Sequence, residues 1–71
     1  GTYFNVTGTT SITSITIKSI GTEVTLTFDD VLTVTDGSNL LLAGNFVTSA
    51  NDVIKLVSDG TNWREISRSA N

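Results

Sequence analysis

A chain of 71 residues with 4 basic and 7 acidic side chains, no cysteine and no histidine leaves little room for several classes of function. No disulfide and no thiolate or imidazole metal site can form, and a hydrolase triad lacks its base. The cations Lys18, Lys55, Arg64 and Arg68 are scattered and the net charge is −3, so nothing resembles a basic stripe for nucleic-acid phosphates, and no apolar run approaches the ~18 residues of a membrane span.

Six Ile, seven Val and thirteen Thr make up 26 of the 71 residues. Such stiff, β-branched side chains favour the pleated strand, while Met is absent and Ala, Glu and Lys are scarce, so the expected fold class is all-β. A domain this small buries only about 60% of the surface of its unfolded chain. Ordering costs roughly 1.5 kcal/mol per residue, so small domains usually need a disulfide, a metal or a partner subunit. With the first two missing, oligomerisation is the expected support.

In chain order, residues 1–10 carry one weak alternation, Phe4 and Val6, and read as a lead-in strand or connecting segment. Asn5-Val6-Thr7 matches the glycosylation acceptor pattern, which matters only in a secretory setting and arises often in chains rich in Asn and Thr. Ile12, Ile15, Ile17 and Ile20 are spaced by 3, 2 and 3. That spacing predicts two short strands meeting near Ser14, or one bulged strand, with all four isoleucines on one interior side.

Residues 21–44 are the most regular stretch. Val24, Leu26 and Phe28 alternate with Thr25 and Thr27, and Leu32 and Val34 with Thr33 and Thr35, the period-two pattern of strands with one buried and one wet face. Leu40, Leu41 and Leu42 follow the Asp36-Gly37 corner. Phe46 and Val47 come after a Gly44-Asn45 turn, and Val53, Ile54, Leu56 and Val57 form a further strand around Lys55. Asp59-Gly60-Thr61-Asn62 is the strongest turn signal, followed by Trp63 and Ile66 and by a polar tail from Ser67 to Asn71 that is expected to fray unless it is packed. Corners near residues 21, 29, 36, 44, 51 and 59 suggest a sandwich, a barrel or a β-helical coil.

The candidate sites have plain structural readings beside them. Asp29 and Asp30 are adjacent and point to opposite faces of a strand, which is wrong for a glycosidase pair and right for a solvated corner. Asp36-Gly37-Ser38-Asn39 and Asp59-Gly60-Thr61-Asn62 offer oxygen ligands without the alternation or closing glutamate of a calcium loop, so turn formation accounts for both. Trp63 with Arg64 could form a sugar-stacking platform; the alternative is that Trp63 plugs the end of a small core or an intersubunit seam with its indole N–H satisfied at the rim. Lys18 beside Ser19 is no catalytic dyad, because neighbours in a strand diverge.

Ile12-Thr13-Ser14-Ile15, then residues 21–28, Leu32-Thr33-Val34, residues 36–40 and finally residues 59–68 with Asp-Gly-Thr-Asn-Trp resemble, in that order, the C-terminal segment of tailed-phage tailspikes, tail fibres and pre-neck appendage proteins. The likeness covers about residues 11–71. It implies an intertwined homotrimer, a triple β-helix or β-prism in which residues 1–10 lead into one trimeric β module of residues 11–71. It also implies that the module clamps and stabilises a host-adhesion fibre on the virion, downstream of a β-helical domain of the same parent chain. The module would not be an enzyme and would need no cofactor. On this reading Ile15, Ile17, Val24, Leu26, Phe28, Leu32, Val34, Leu40, Leu42, Phe46, Ile54, Leu56, Trp63 and Ile66 form the trimer core or interface. The alternative is a receptor-binding tip that meets host cell-surface glycan through Trp63 and Arg64. The self-cleaving chaperone that follows in some relatives has no matching residues here. Nucleic acid and membrane insertion are not expected.

Overall fold

The computed structural model describes residues 2–70 of the chain. Seven strands occur in the order β1 (Thr2–Val6), β2 (Glu23–Phe28), β3 (Thr33–Val34), β4 (Leu40–Leu41), β5 (Phe46–Val47), β6 (Val53–Ser58) and β7 (Trp63–Ser69). The described residues contain no helix, so the fold is all-β. Five strands form one sheet in the order β1-β2-β6-β7-β4, and β3 pairs with β5 in a second, two-stranded sheet.

Strands β2 and β6 make the centre of the larger sheet and show why alternation is a strong local signal. Val24, Leu26 and Phe28 on β2 and Ile54, Leu56 and Ser58 on β6 face inward, while Thr25, Thr27, Val53, Lys55 and Val57 lie half-buried on the other face. The two strands run antiparallel with Leu26 opposite Ile54. Strand β7 returns antiparallel to β6 through the Asp59-Gly60-Thr61-Asn62 corner, where Asp59 N–H donates to Asn62 O at 2.9 Å and Gly60 takes φ +92°. The polar tail is held by pairing as far as Ser69, opposite Val53.

Strand β1 runs parallel to β2, so residues 7–22 must cross from one end of the sheet to the other. They do so without regular strand. Only Ile12 makes a bridge, parallel to Val34 of β3, with Ile12 N–H donating to Thr33 O at 2.9 Å and Thr35 N–H to Ile12 O at 2.8 Å. The expectation of an isoleucine-lined strand pair is therefore corrected. Ile12, Ile15 and Ile17 pack partly buried against the core, and Ile20 is 77% exposed. A 3, 2, 3 spacing cannot keep one face in an extended strand. The segment resolves the conflict as an irregular strap anchored by side chains of other elements.

Both sheets converge on one core of Val24, Leu26, Phe28, Leu32, Val34, Leu40, Phe46, Ile54, Leu56 and Trp63. Phe28 of β2 meets Phe46 of β5 edge to face, with centroids 6.0 Å apart at 85°, and this contact joins the two layers. The single chain has a radius of gyration of 11.0 Å, against about 11 Å expected for a globular chain of its length. Its surface of 3982 Å² compares with about 4200 Å² for a globular protein of its mass. These ten side chains are thus already buried within one copy.

Candidate functional site

Trp63 opens β7 between two neighbours, opposite Ser58 of β6 and Leu40 of β4. It is 1% exposed. Its backbone N–H donates to Asn39 O at 2.7 Å, and its indole N–H donates to Thr16 O of the strap at 3.3 Å. A sugar cannot stack on a ring with both faces enclosed, so the glycan platform built on Trp63 is corrected. The ring fills the end of the core and fastens the strap to it.

Arg64 does stand in solvent, and its guanidinium belongs to the adjoining turn. Asp59 Oδ1 accepts the N–H groups of Thr61 at 2.9 Å and Asn62 at 2.6 Å, and Oδ2 accepts Arg64 Nε at 2.7 Å. These bonds to the ionised form, led by that from Asn62, lower the Asp59 carboxyl from 3.8 to about 2.

The second copy of the motif is wired differently. Asp36 Oδ1 reaches across its loop to Leu42 N–H at 2.9 Å, and Asn45 Oδ1 accepts Asp36 N–H at 2.8 Å. Asn39 leaves the turn altogether. Its Oδ1 accepts Ile15 N–H at 3.2 Å and its Nδ2 donates to Ile15 O, so one side-chain amide stands in for a neighbouring strand. Local turn chemistry explains the shape of both corners; the partners of Asn39 lie 24 residues away.

The remaining carboxylates are also built into the fold. Asp29 Oδ2 accepts Asn5 Nδ2 at 3.0 Å, and Asp30 Oδ1 accepts Val31 N–H at 2.8 Å, so the adjacent acids face different partners at an exposed corner. Asp52 is buried and accepts Ser49 N–H at 2.8 Å and Ser49 Oγ at 3.2 Å. Among the described residues no three carboxylates gather where a cation could sit.

Two features were not visible in the sequence pattern. Glu65 and Arg68 form a paired contact at 2.7 Å for both Nε–Oε2 and Nη2–Oε1. Arg68 also donates to Gly44 O at 2.9 Å and Asn45 O at 3.3 Å and lies 4.7 Å over the Phe46 ring, while Glu65 Oε1 accepts Ala43 N–H at 2.9 Å. The cluster latches the loop between β4 and β5 onto β7. Arg68 holds the Glu65 carboxyl below its ordinary value, and Glu65 raises the guanidinium in turn. The other is Thr48, buried, whose Oγ1 donates to Asp30 O at 2.8 Å and accepts Leu32 N–H at 3.1 Å.

Of the fourteen residues expected in the core or interface, ten form the core, and Ile15, Ile17 and Leu42 pack against it half-buried. Ile66 is 49% exposed in the single chain. Trp63 and Ile66 are three residues apart, and a strand turns side chains at odd spacing to opposite faces. The other large apolar side chains standing out of the fold are Tyr3, Phe4, Ile20, Val31, Leu41 and Val47. Comparison with protein-family models, curated proteins and solved structures finds no match to this chain.

Proposed function

We propose that this chain is a structural assembly module, a homotrimerisation and stability segment of a phage tailspike or tail fibre. The observation that carries the proposal is the distribution of its side chains. The carboxylates discussed above and Trp63 are engaged in holding the fold, whereas apolar side chains stand exposed at Tyr3 (68%) and Phe4 (51%) on the edge strand β1. The threefold partner and the virion location in this proposal rest on the resemblance of the ordered corners to phage fibre C-termini.

Closure of the core within one chain bears on how three copies would associate. Intertwined strands exchange core residues, and here Val34, Leu40, Ile54 and Leu56 are fully enclosed by their own chain. Side-by-side association through the exposed apolar groups fits that geometry better than a fully wound triple β-helix. Strand β1 suits such a contact. Thr2–Val6 contains no charge and no proline, and its pairing with β2 is free of bulges, so none of the usual devices blocks its open edge. The competing reading, a glycan-binding tip, loses Trp63 as its platform.

Light scattering after size exclusion tests the proposal. A trimer gives about 22.5 kDa, three times the 7.5 kDa of one chain, and a folded monomer at micromolar concentration would overturn it.

A further inference from the structure

The chain contains two Asp-Gly pairs, at 36–37 and 59–60. In this dipeptide the aspartate carboxyl can close onto the following amide nitrogen, because glycine neither shields that nitrogen nor restricts the backbone around it. The fold holds the two pairs in different ways.

At Asp59 both carboxylate oxygens are engaged, Oδ1 by two backbone N–H groups ahead in the turn and Oδ2 by Arg64. Gly60 N–H is turned to the hydroxyl of the buried Ser58 at 3.1 Å. Ring closure expels the carboxyl oxygen as water and so proceeds from the neutral acid. A carboxyl held at about 2 instead of 3.8 is neutral roughly 60 times less often.

Asp36 is exposed, and its carboxylate makes one described hydrogen bond, from Leu42 N–H at 2.9 Å. Gly37 follows at φ +128° with nothing within 4 Å of the point where a side chain would begin, and Ser38 continues at φ +52°. Gly37 N–H donates to Leu40 O at 2.9 Å and Leu40 N–H returns to Gly37 O at 2.8 Å, and the first of these bonds must open before the nitrogen can attack.

We propose that Asp36 is the site at which the folded chain isomerises spontaneously, and that the turn around Asp59 protects the second pair. Gly37 N attacks Asp36 Cγ, forming an N–Cγ bond as the C–OH bond breaks. The hydroxyl leaves with the amide proton as water. Water then adds to the cyclic imide at the former main-chain carbonyl and breaks its bond to nitrogen. The backbone now runs through Cγ, one methylene longer, and the α-carboxylate becomes the side group. Mass and net charge are unchanged. The carboxylate no longer sits where Leu42 N–H meets it, so the loop of residues 36–45 loosens. The proposal is independent of the assembly state.

The experiment incubates the full folded chain for weeks at neutral pH, with a urea-denatured sample in parallel. Trypsin, cutting after Lys18, Lys55 and Arg64, separates residues 19–55 from residues 56–64, and electron-transfer fragmentation distinguishes isoaspartate from aspartate. The expected result is isoaspartate at Asp36 at least ~10-fold faster than at Asp59 in the folded chain, with comparable rates in urea. Comparable rates in the folded chain, faster conversion at Asp59, or no conversion at Asp36 while the denatured sample converts would each overturn it.

Discussion

Glu65 and Arg68 share one face of β7, 2.7 Å apart, because the register with β6 skips Ile66 between them. In a regular strand residues three apart point to opposite faces. Ile66 faces solvent by ordinary alternation from Trp63, and the bulge turns Arg68 back to the face of Glu65, bringing a carboxylate and a guanidinium together beneath the loop of residues 43–45. One extra residue thus creates the latch.

Arg68→Ala should destabilise the fold by about 1–2 kcal/mol, a figure reduced for the part-exposed guanidinium. It removes the bonds to Glu65, Gly44 and Asn45 together with the contact over Phe46. Arg68→Lys should recover less than half of the loss, since an ammonium cannot reproduce the planar fork. Urea unfolding midpoints measure both; a full recovery by lysine would contradict the paired geometry.

Acid should weaken the fold through Glu65 of this cluster and through the Asp59 turn. The carboxyls of Glu65 and Asp59 are both lowered in the folded chain, from 4.5 and 3.8 respectively, so the unfolded chain binds more protons as pH falls through that range. Their contribution is complete above about pH 5 and lost progressively on the way down towards pH 2. Glu65→Gln should flatten the upper part of this acid limb in a series of thermal melts. A variant with the limb of the parent chain would remove Glu65 from the account.

Asn39→Ala should release the strap. It deletes both bonds to the half-buried Ile15 backbone, at a cost of about 2 kcal/mol. Hydrogen exchange gives the specific readout: the Ile15 amide should exchange faster by more than the global loss of stability accounts for, while Leu26 and Ile54 follow the global value.

Thr48→Val keeps the shape of a buried side chain and removes its hydroxyl. Asp30 O and Leu32 N–H then lose their partner, costing about 1–3 kcal/mol. Equal stability of the variant in chemical denaturation would show that water replaces the hydroxyl.

Tyr3→Asp with Phe4→Asp should separate assembly from folding. Both side chains are exposed in one chain, so the fold should survive with its circular dichroism intact while the trimer falls to monomer. Phe28→Asp should instead abolish both, because it buries an unpaired charge in the core. Loss of folding in the β1 variant would place those aromatics inside the fold and not at a contact between copies.

The sequence by itself determined that the chain is all-β, which faces of β2 and β6 are buried, and where the Asp36 and Asp59 corners fall. Each of these is a local property, set by period-two alternation, β-branched side chains and turn residues. Only the tertiary structure decided the rest. The strap, the enclosure of Trp63 and the support of Asn39 depend on bonds to residues 24 to 47 positions away, which no local pattern encodes. The pairing of Glu65 with Arg68 hangs on a one-residue bulge, and such a slip reverses every facing that alternation would assign beyond it.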